Sequence, residues 1–172
     1  MEPLARCALL IDGAHYDRIR TTFNTKIDFV GLAHLLSGTE EAIDIRYYRD
    51  VRDDNELERF ASLRAALEWS GIDVIGRSVP LGSPAPRQRY GTNLLQMVAD
   101  ACRLRSYCDT LFLMPSDVQL EPVIATIREE GLRVVVVSTR FAPPSIAPHQ
   151  SLIASADKFV ELRDILSEIS LN

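Results

Sequence analysis

Two aspartates close short apolar runs in this chain, and two more oxygen-bearing side chains share one face of an amphipathic stretch. Asp12 follows Cys7-Ala-Leu-Leu-Ile11, and Asp117 follows Leu111-Phe-Leu-Met114 across Pro115-Ser116. A hard divalent ion such as Mg²⁺ or Mn²⁺ prefers carboxylate oxygens and water, and such an ion activates water against a phosphodiester at neutral pH. Asp12 and Asp117 are therefore candidate ligands and candidate catalytic carboxylates. Asn93 and Asp100 are seven residues apart, two helical turns on one face, so either can complete the set. No Ser or Cys with a neighbouring base is evident, which leaves water as the nucleophile. Arg87 and Arg89 stand just before that face and can meet phosphates, or remain solvated loop charges.

Each residue also has a plainer reading. Ser116-x-x-Gln119 has the form of a capping box, and Asn93-x-x-Gln96 is cap-like. Asp12-Gly13 is a common strand-ending turn. His15 and His34 lack a His-x-x-x-His partner and read as ordinary surface or core residues. Tyr47, Tyr48 and Trp69 sit in apolar patterns and read as core rather than as platforms for bases.

The elements that must position these residues alternate. Cys7 to Ile11 is a continuous apolar run, the mark of a strand buried on both faces. Phe29 to Leu36 is helical, ending at Gly38; Ile43, Ile45 and Tyr47 alternate in strand period to about Arg49. A helix begins at Asn55 as cap, with Leu57, Phe60, Ala61, Leu67 and Trp69 on one face and Gly71 as terminator. Ile72 to Val79 reads as a strand, and residues 80–91 as a Pro-rich loop. Then come a helix over Leu94–Leu104, a strand over Leu111–Met114, a helix carrying Leu120, Val123, Ile124 and Ile127, and a strand over Val134–Val137. A helix near Ser151–Ala156, a strand over Phe159–Leu162 and a last helix finish the chain. This alternation predicts an α/β fold with a mostly parallel sheet, whose ligands gather at the C-terminal strand ends near the reversal of strand order.

The 172 residues, 47% hydrophobic, suit one domain spanning 1–172. A net charge of -5 opposes a broad electrostatic grip on duplex nucleic acid, so phosphate contacts must be local. Lys26 and Lys158 are the only lysines among 19 basic residues, which leaves arginine to make bidentate contacts or reflects composition alone. Three cysteines without metal-site spacing, no membrane-length apolar run and no leader pattern predict a cytoplasmic protein without a membrane partner. No Gly-x-Gly-x-x-Gly or Walker-type loop follows the first strand, which ranks nucleotide-handling folds last.

Four segments in order resemble the NYN domain family of the PIN-like nuclease superfamily. Leu10-Ile-Asp-Gly-Ala-His15 is similar to the family's strand followed by Asp-Gly-x-Asn, with His15 at the asparagine position. Arg89-Tyr-Gly-Thr-Asn93 resembles Lys-Gly-x-Asp before the acidic helix, in which Asp100 is the inner acid. Asp109 to Pro122 looks like Asp-Thr-strand-Ser-Gly-Asp-Ser-Asp-Phe-x-Pro, and Ser151 to Phe159 is similar to Leu-x-x-x-Ala-Asp-x-Phe. The resemblance implies a three-layer α/β/α PIN-like fold and a metal-dependent endoribonuclease acting on single-stranded or structured RNA. It implies Asp12 and Asp117 as main ligands of Mg²⁺ or Mn²⁺, Asp100 supporting and Asn93 a weak ligand, with Arg87, Arg89 and Ser116 on phosphates. Asn93 and Gln119 replace two family acids, and the Asn93–Asp100 spacing is one residue longer than usual. These departures support an alternative: a catalytically degenerate module that binds RNA, a nucleotide or a partner protein. A second copy pairing at an exposed sheet edge is a further partner, though the sequence does not identify the edge.

Overall fold

The computed structural model describes residues 6–76, 92–115 and 118–171. Six strands, β1 (Cys7–Asp12), β3 (Asp44–Tyr48), β4 (Asp73–Ile75), β5 (Thr110–Met114), β6 (Arg133–Ser138) and β7 (Lys158–Glu161), form one parallel sheet in the order β4-β3-β1-β5-β6-β7. The chain builds one half outward from β1 and then returns to build the other half outward from β5. The reversal therefore lies between β1 and β5, which pair in parallel from Cys7 with Thr110 to Ile11 with Met114. A small antiparallel pair joins β2 (Lys26–Ile27) to β8 (Ser170–Leu171).

Alternation along β1 divides the core. Leu9 and Ile11 face a layer built by α1 (Gly13–Phe23), α2 (Phe29–Ser37), α3 (Asp54–Trp69) and α7 (Leu162–Ile169). Ala8 and Leu10 face the other layer, built by α4 (Thr92–Leu104), α5 (Glu121–Glu129) and α6 (Gln150–Ser155). Both faces of the central strands are covered, so Leu9, Leu10, Ile11 and Val134 to Val137 are buried. The expected three-layer α/β/α architecture with a mostly parallel sheet is thus what the chain adopts.

Two local expectations need correction. The cap of α3 is Asp53, whose carboxylate accepts from the Glu56 N–H at 2.9 Å, and Asn55 falls inside the first turn. Aspartate and asparagine cap equally well, so residue type alone does not separate them. Trp69 is 91% exposed rather than core. It lies two residues beyond Leu67, about 200° around the helix, and so points away from the sheet. Ser116 of the capping-box reading lies outside the described residues; a 3₁₀ turn over Val118–Leu120 leads into α5, whose N-cap Leu120 makes no side-chain cap bond.

Candidate functional site

The site is built from the end of β1. Asp12 is 2% exposed, and its Oδ1 accepts the Ala14 N–H at 3.0 Å, making Asp12 the N-cap of α1. One side chain thus ends the strand, starts the helix and places a carboxylate at the helix N-terminus, where the backbone dipole favours negative charge. On one side Asp12 is in register with Tyr48 of β3; on the other, β5 has just ended at Met114 and continues into buried Pro115. The carboxylate therefore stands at the mouth of the β1–β5 reversal.

Gly13 has a steric reason. A Cβ there would lie 2.7 Å from Cε1 of Tyr47, whose ring is fully buried against Tyr16 and Phe60 and whose O–H donates to the Gly13 carbonyl at 3.4 Å. Tyr47 cannot retreat from such a contact without disturbing the core. Gly13→Ala is expected to cost about 2 kcal/mol, the range for overpacking, measured as a shift of the urea midpoint at constant slope. An unchanged midpoint would mean that the ring has room to move.

Asp100 belongs to a dense polar cluster on α4. Its Oδ2 accepts the Tyr48 O–H at 2.8 Å, its Oδ1 accepts Gln96 Nε2 at 3.1 Å and Arg103 Nη1 at 3.2 Å, and Arg46 Nη1 is 3.5 Å away. Burial, and next the hydrogen bond to Asp100, push the Tyr48 phenol well above its usual pKa, so it stays a donor. Arg46 is held bidentately by Asp44, at 2.9 and 2.7 Å, and that hydrogen bonding is the main cause raising its pKa. Oδ2 of Asp100 thus fastens α4 onto β3, while Oδ1 is engaged within α4 itself. Asp100→Ala is expected to cost about 2 kcal/mol, chiefly because the buried Tyr48 hydroxyl is orphaned. Tyr48→Phe in the same background should restore part of the loss, and additive losses in that double-mutant cycle would refute the coupling.

Two further contacts frame the mouth. Arg49, just past β3, pairs with Asp17 on α1, and its guanidinium lies over the Phe60 ring at 5.0 Å. His15 is 1% exposed, and its Nε2 shares a hydrogen bond of 2.9 Å with the hydroxyl of Ser138, the buried last residue of β6. Since β5 lies between β1 and β6, this bond reaches across the end of β5 and ties the start of α1 to β6. His15 Nδ1 is the buried side-chain polar atom that finds no partner among the described residues. Burial, with a smaller contribution from Arg18, pushes the imidazole down to about 4. Sequence reasoning placed His15 only as surface or core, and nothing in its spacing announced Ser138.

Asp117, Ser116, Arg87 and Arg89 lie outside the described residues, and so does the side chain of Asn93, which belongs to the first turn of α4. Gln119 is exposed in the 3₁₀ turn. Among the described residues no group of three or more His, Cys, Asp or Glu side chains is placed to hold an ion. Among the described residues Asp12 brings a buried carboxylate to the mouth, and this donor chemistry would suit Mg²⁺ or Mn²⁺ when joined by the acid at 117. Also among the described residues, no helix is long and apolar enough to cross a membrane.

The model of the NYN domain family matches residues 6–166, from the start of β1 into α7. The chain belongs to the NYN domain family. NYN domains are PIN-like, nuclease-like and RNA-related, and generally use divalent metals. Comparison with curated proteins yields no match. Among solved structures, a protein of unknown function from Vibrio parahaemolyticus is similar over 99% of this chain and 99% of its own, at 19% identity and a TM-score of 0.71. That likeness concerns the fold alone. Within the NYN pattern, the Asp-Gly pair is explained by the cap and the close approach of Tyr47. The Asp157 of the closing motif is structural: it accepts the Val134 N–H at 2.8 Å and pairs with Arg128 at 2.7 Å.

Proposed function

We propose that this NYN domain is a metal-dependent endoribonuclease-like protein that acts on single-stranded or structured RNA in the cytoplasm. The observation that carries the reading is Asp12, a buried carboxylate capping α1 at the β1–β5 reversal, with Asp117 three residues past the end of β5. Ligands of open parallel sheets bind at such a reversal. Asp12 and Asp117 would hold Mg²⁺ or Mn²⁺, with Asn93 a weaker donor from the start of α4. Asp100 supports the site by anchoring α4, since its oxygens are already engaged. Arg87, Arg89 and Ser116 would position the phosphate. When bound, the ion supplies an acidified water and offsets charge on the phosphate.

The test is cleavage of a structured RNA by purified protein with Mg²⁺ or Mn²⁺, with Asp117→Asn as control. Metal-dependent cleavage that disappears in the variant supports the reading. Cleavage that persists in Asp117→Asn identifies a contaminating nuclease or another site and overturns it.

Asn93 and Gln119, standing where NYN domains have acids, favour a second reading: a degenerate module that keeps the pocket for RNA, a nucleotide or a protein partner. Restoring the acids with Asn93→Asp plus Gln119→Asp distinguishes the two. A retired nuclease is expected to gain both Mn²⁺ affinity and cleavage, because each change adds a carboxylate to a site relying on amides. No gain in either would show that these positions do not face the ion.

A further inference from the structure

A second cavity, of about 340 Å³, opens on the α1/α3 face and shares no residue with the acidic mouth. Its floor is apolar: Tyr16, Ile27, Phe29, Leu67 and Ile72 are all buried. Its rim carries three cations from three elements, Arg20 of α1, Lys26 of β2 and Arg59 of α3. Arg59 Nε donates to the Asn55 carbonyl at 3.2 Å, which leaves its charge unneutralised. Arg20 and Lys26 form no ion pair among the described residues, whereas Arg52, Arg64, Arg103, Arg105 and Arg128 each have an acidic partner. The chain's net charge is -5, yet this one lining collects three cations. The one carboxylate in the lining, Asp28, is turned to the Gly31 N–H at 3.0 Å as the cap of α2.

We infer that this cavity is a binding site for a small amphiphilic anion, an apolar body bearing one carboxylate or phosphate group. The volume falls within the range of small-molecule pockets, about 300–1,000 Å³, and an apolar floor with a few convergent polar groups is their usual lining. The apolar body would lie on Ile27, Phe29, Leu63 and Leu67, and the anionic head would meet Arg20, Lys26 and Arg59 at the mouth. Ser62 adds a hydroxyl on the α3 side. The site is independent of metal and RNA, so it stands or falls apart from the ribonuclease reading.

The experiment is titration of the full chain with octanoate, octyl phosphate and octanol, followed by amide chemical shifts in ¹H–¹⁵N spectra. Both anions are expected to shift amides of residues 16–30 and 59–72, with octanol at least about tenfold weaker, as expected when a charged hydrogen bond is lost. Arg20→Gln with Lys26→Gln should weaken octanoate about tenfold or more and leave octanol unchanged; both side chains are exposed, so the fold is kept. Equal binding of octanol and octanoate would overturn the proposal, as would shifts elsewhere on the protein. Shifts of the same amides by an RNA oligonucleotide, with none from octanoate, would also overturn it by making the cations part of an RNA surface.

Discussion

Asp12→Asn is expected to reduce metal-dependent RNA cleavage by about 100-fold or more while shifting the unfolding midpoint little. Even residues that only orient metal ligands cost about 10–100-fold when changed, so Asp12, as the proposed direct ligand, should cost at least as much. Stability should survive because asparagine caps a helix as well as aspartate does, and its side-chain oxygen can keep the Ala14 N–H. Asp12→Ala supplies the contrast: it loses both the charge and the cap, and should add a stability loss of about 1 kcal/mol. The measurements are initial cleavage rates at fixed Mn²⁺ and urea midpoints for the three proteins. Equal rates for wild type and Asp12→Asn would remove the buried carboxylate from the chemistry and leave it a cap.

The second large effect is on acid stability. His15 is neutral when folded, its pKa pushed down to about 4 against an unfolded value of 6.5. Between these values the unfolded chain binds a proton that the folded chain refuses, so folding stability rises with pH there. The full contribution is present above 6.5 and is lost as pH falls towards 4. A difference of this size corresponds to about 3 kcal/mol. His15→Asn places at this position the residue NYN domains usually have, with no proton to take up. From pH 7 to pH 4, wild type is expected to lose about 3 kcal/mol more stability than His15→Asn, read from urea unfolding at each pH. Parallel curves would show that the ring is solvated or protonates without leaving its place.

Much of this fold was legible because parallel strands covered on both faces must be continuous apolar runs, as Leu9 to Ile11 and Val134 to Val137 are. The helix α1 was not read. Its inward residues are Gly13, His15, Tyr16 and Ile19, too polar and too small to make a stripe, and Asp12-Gly13 looked like a turn. The strands β2 and β8 span two residues each, too short for any periodicity. Asp12 and Asp100 were legible as candidates from a strand end, a helical spacing and the family motif, but their surroundings depend on pairings between distant segments. Nothing local to Tyr48 or Ser138 marks them as partners of Asp100 and His15, because those contacts exist only once β3 and β6 lie in the sheet. Trp69 shows the converse error, an apolar residue assigned inward when helical geometry points it outward.

The pairing of β2 with β8 sets an order of events in time. Ile27 can meet Ser170, and the Asp28 N–H can reach the Ile169 carbonyl at 2.7 Å, only after the chain has grown by about 140 residues. At ribosomal speeds of roughly 5–20 residues per second, that is a wait on the order of ten to thirty seconds. During that interval the α1–α2 connection lacks its partner strand, and the cationic cavity lacks the wall supplied by Leu171. The sheet can assemble during synthesis, but this corner waits for β8, so a nascent chain would present its strand order before it could form the proposed anion site.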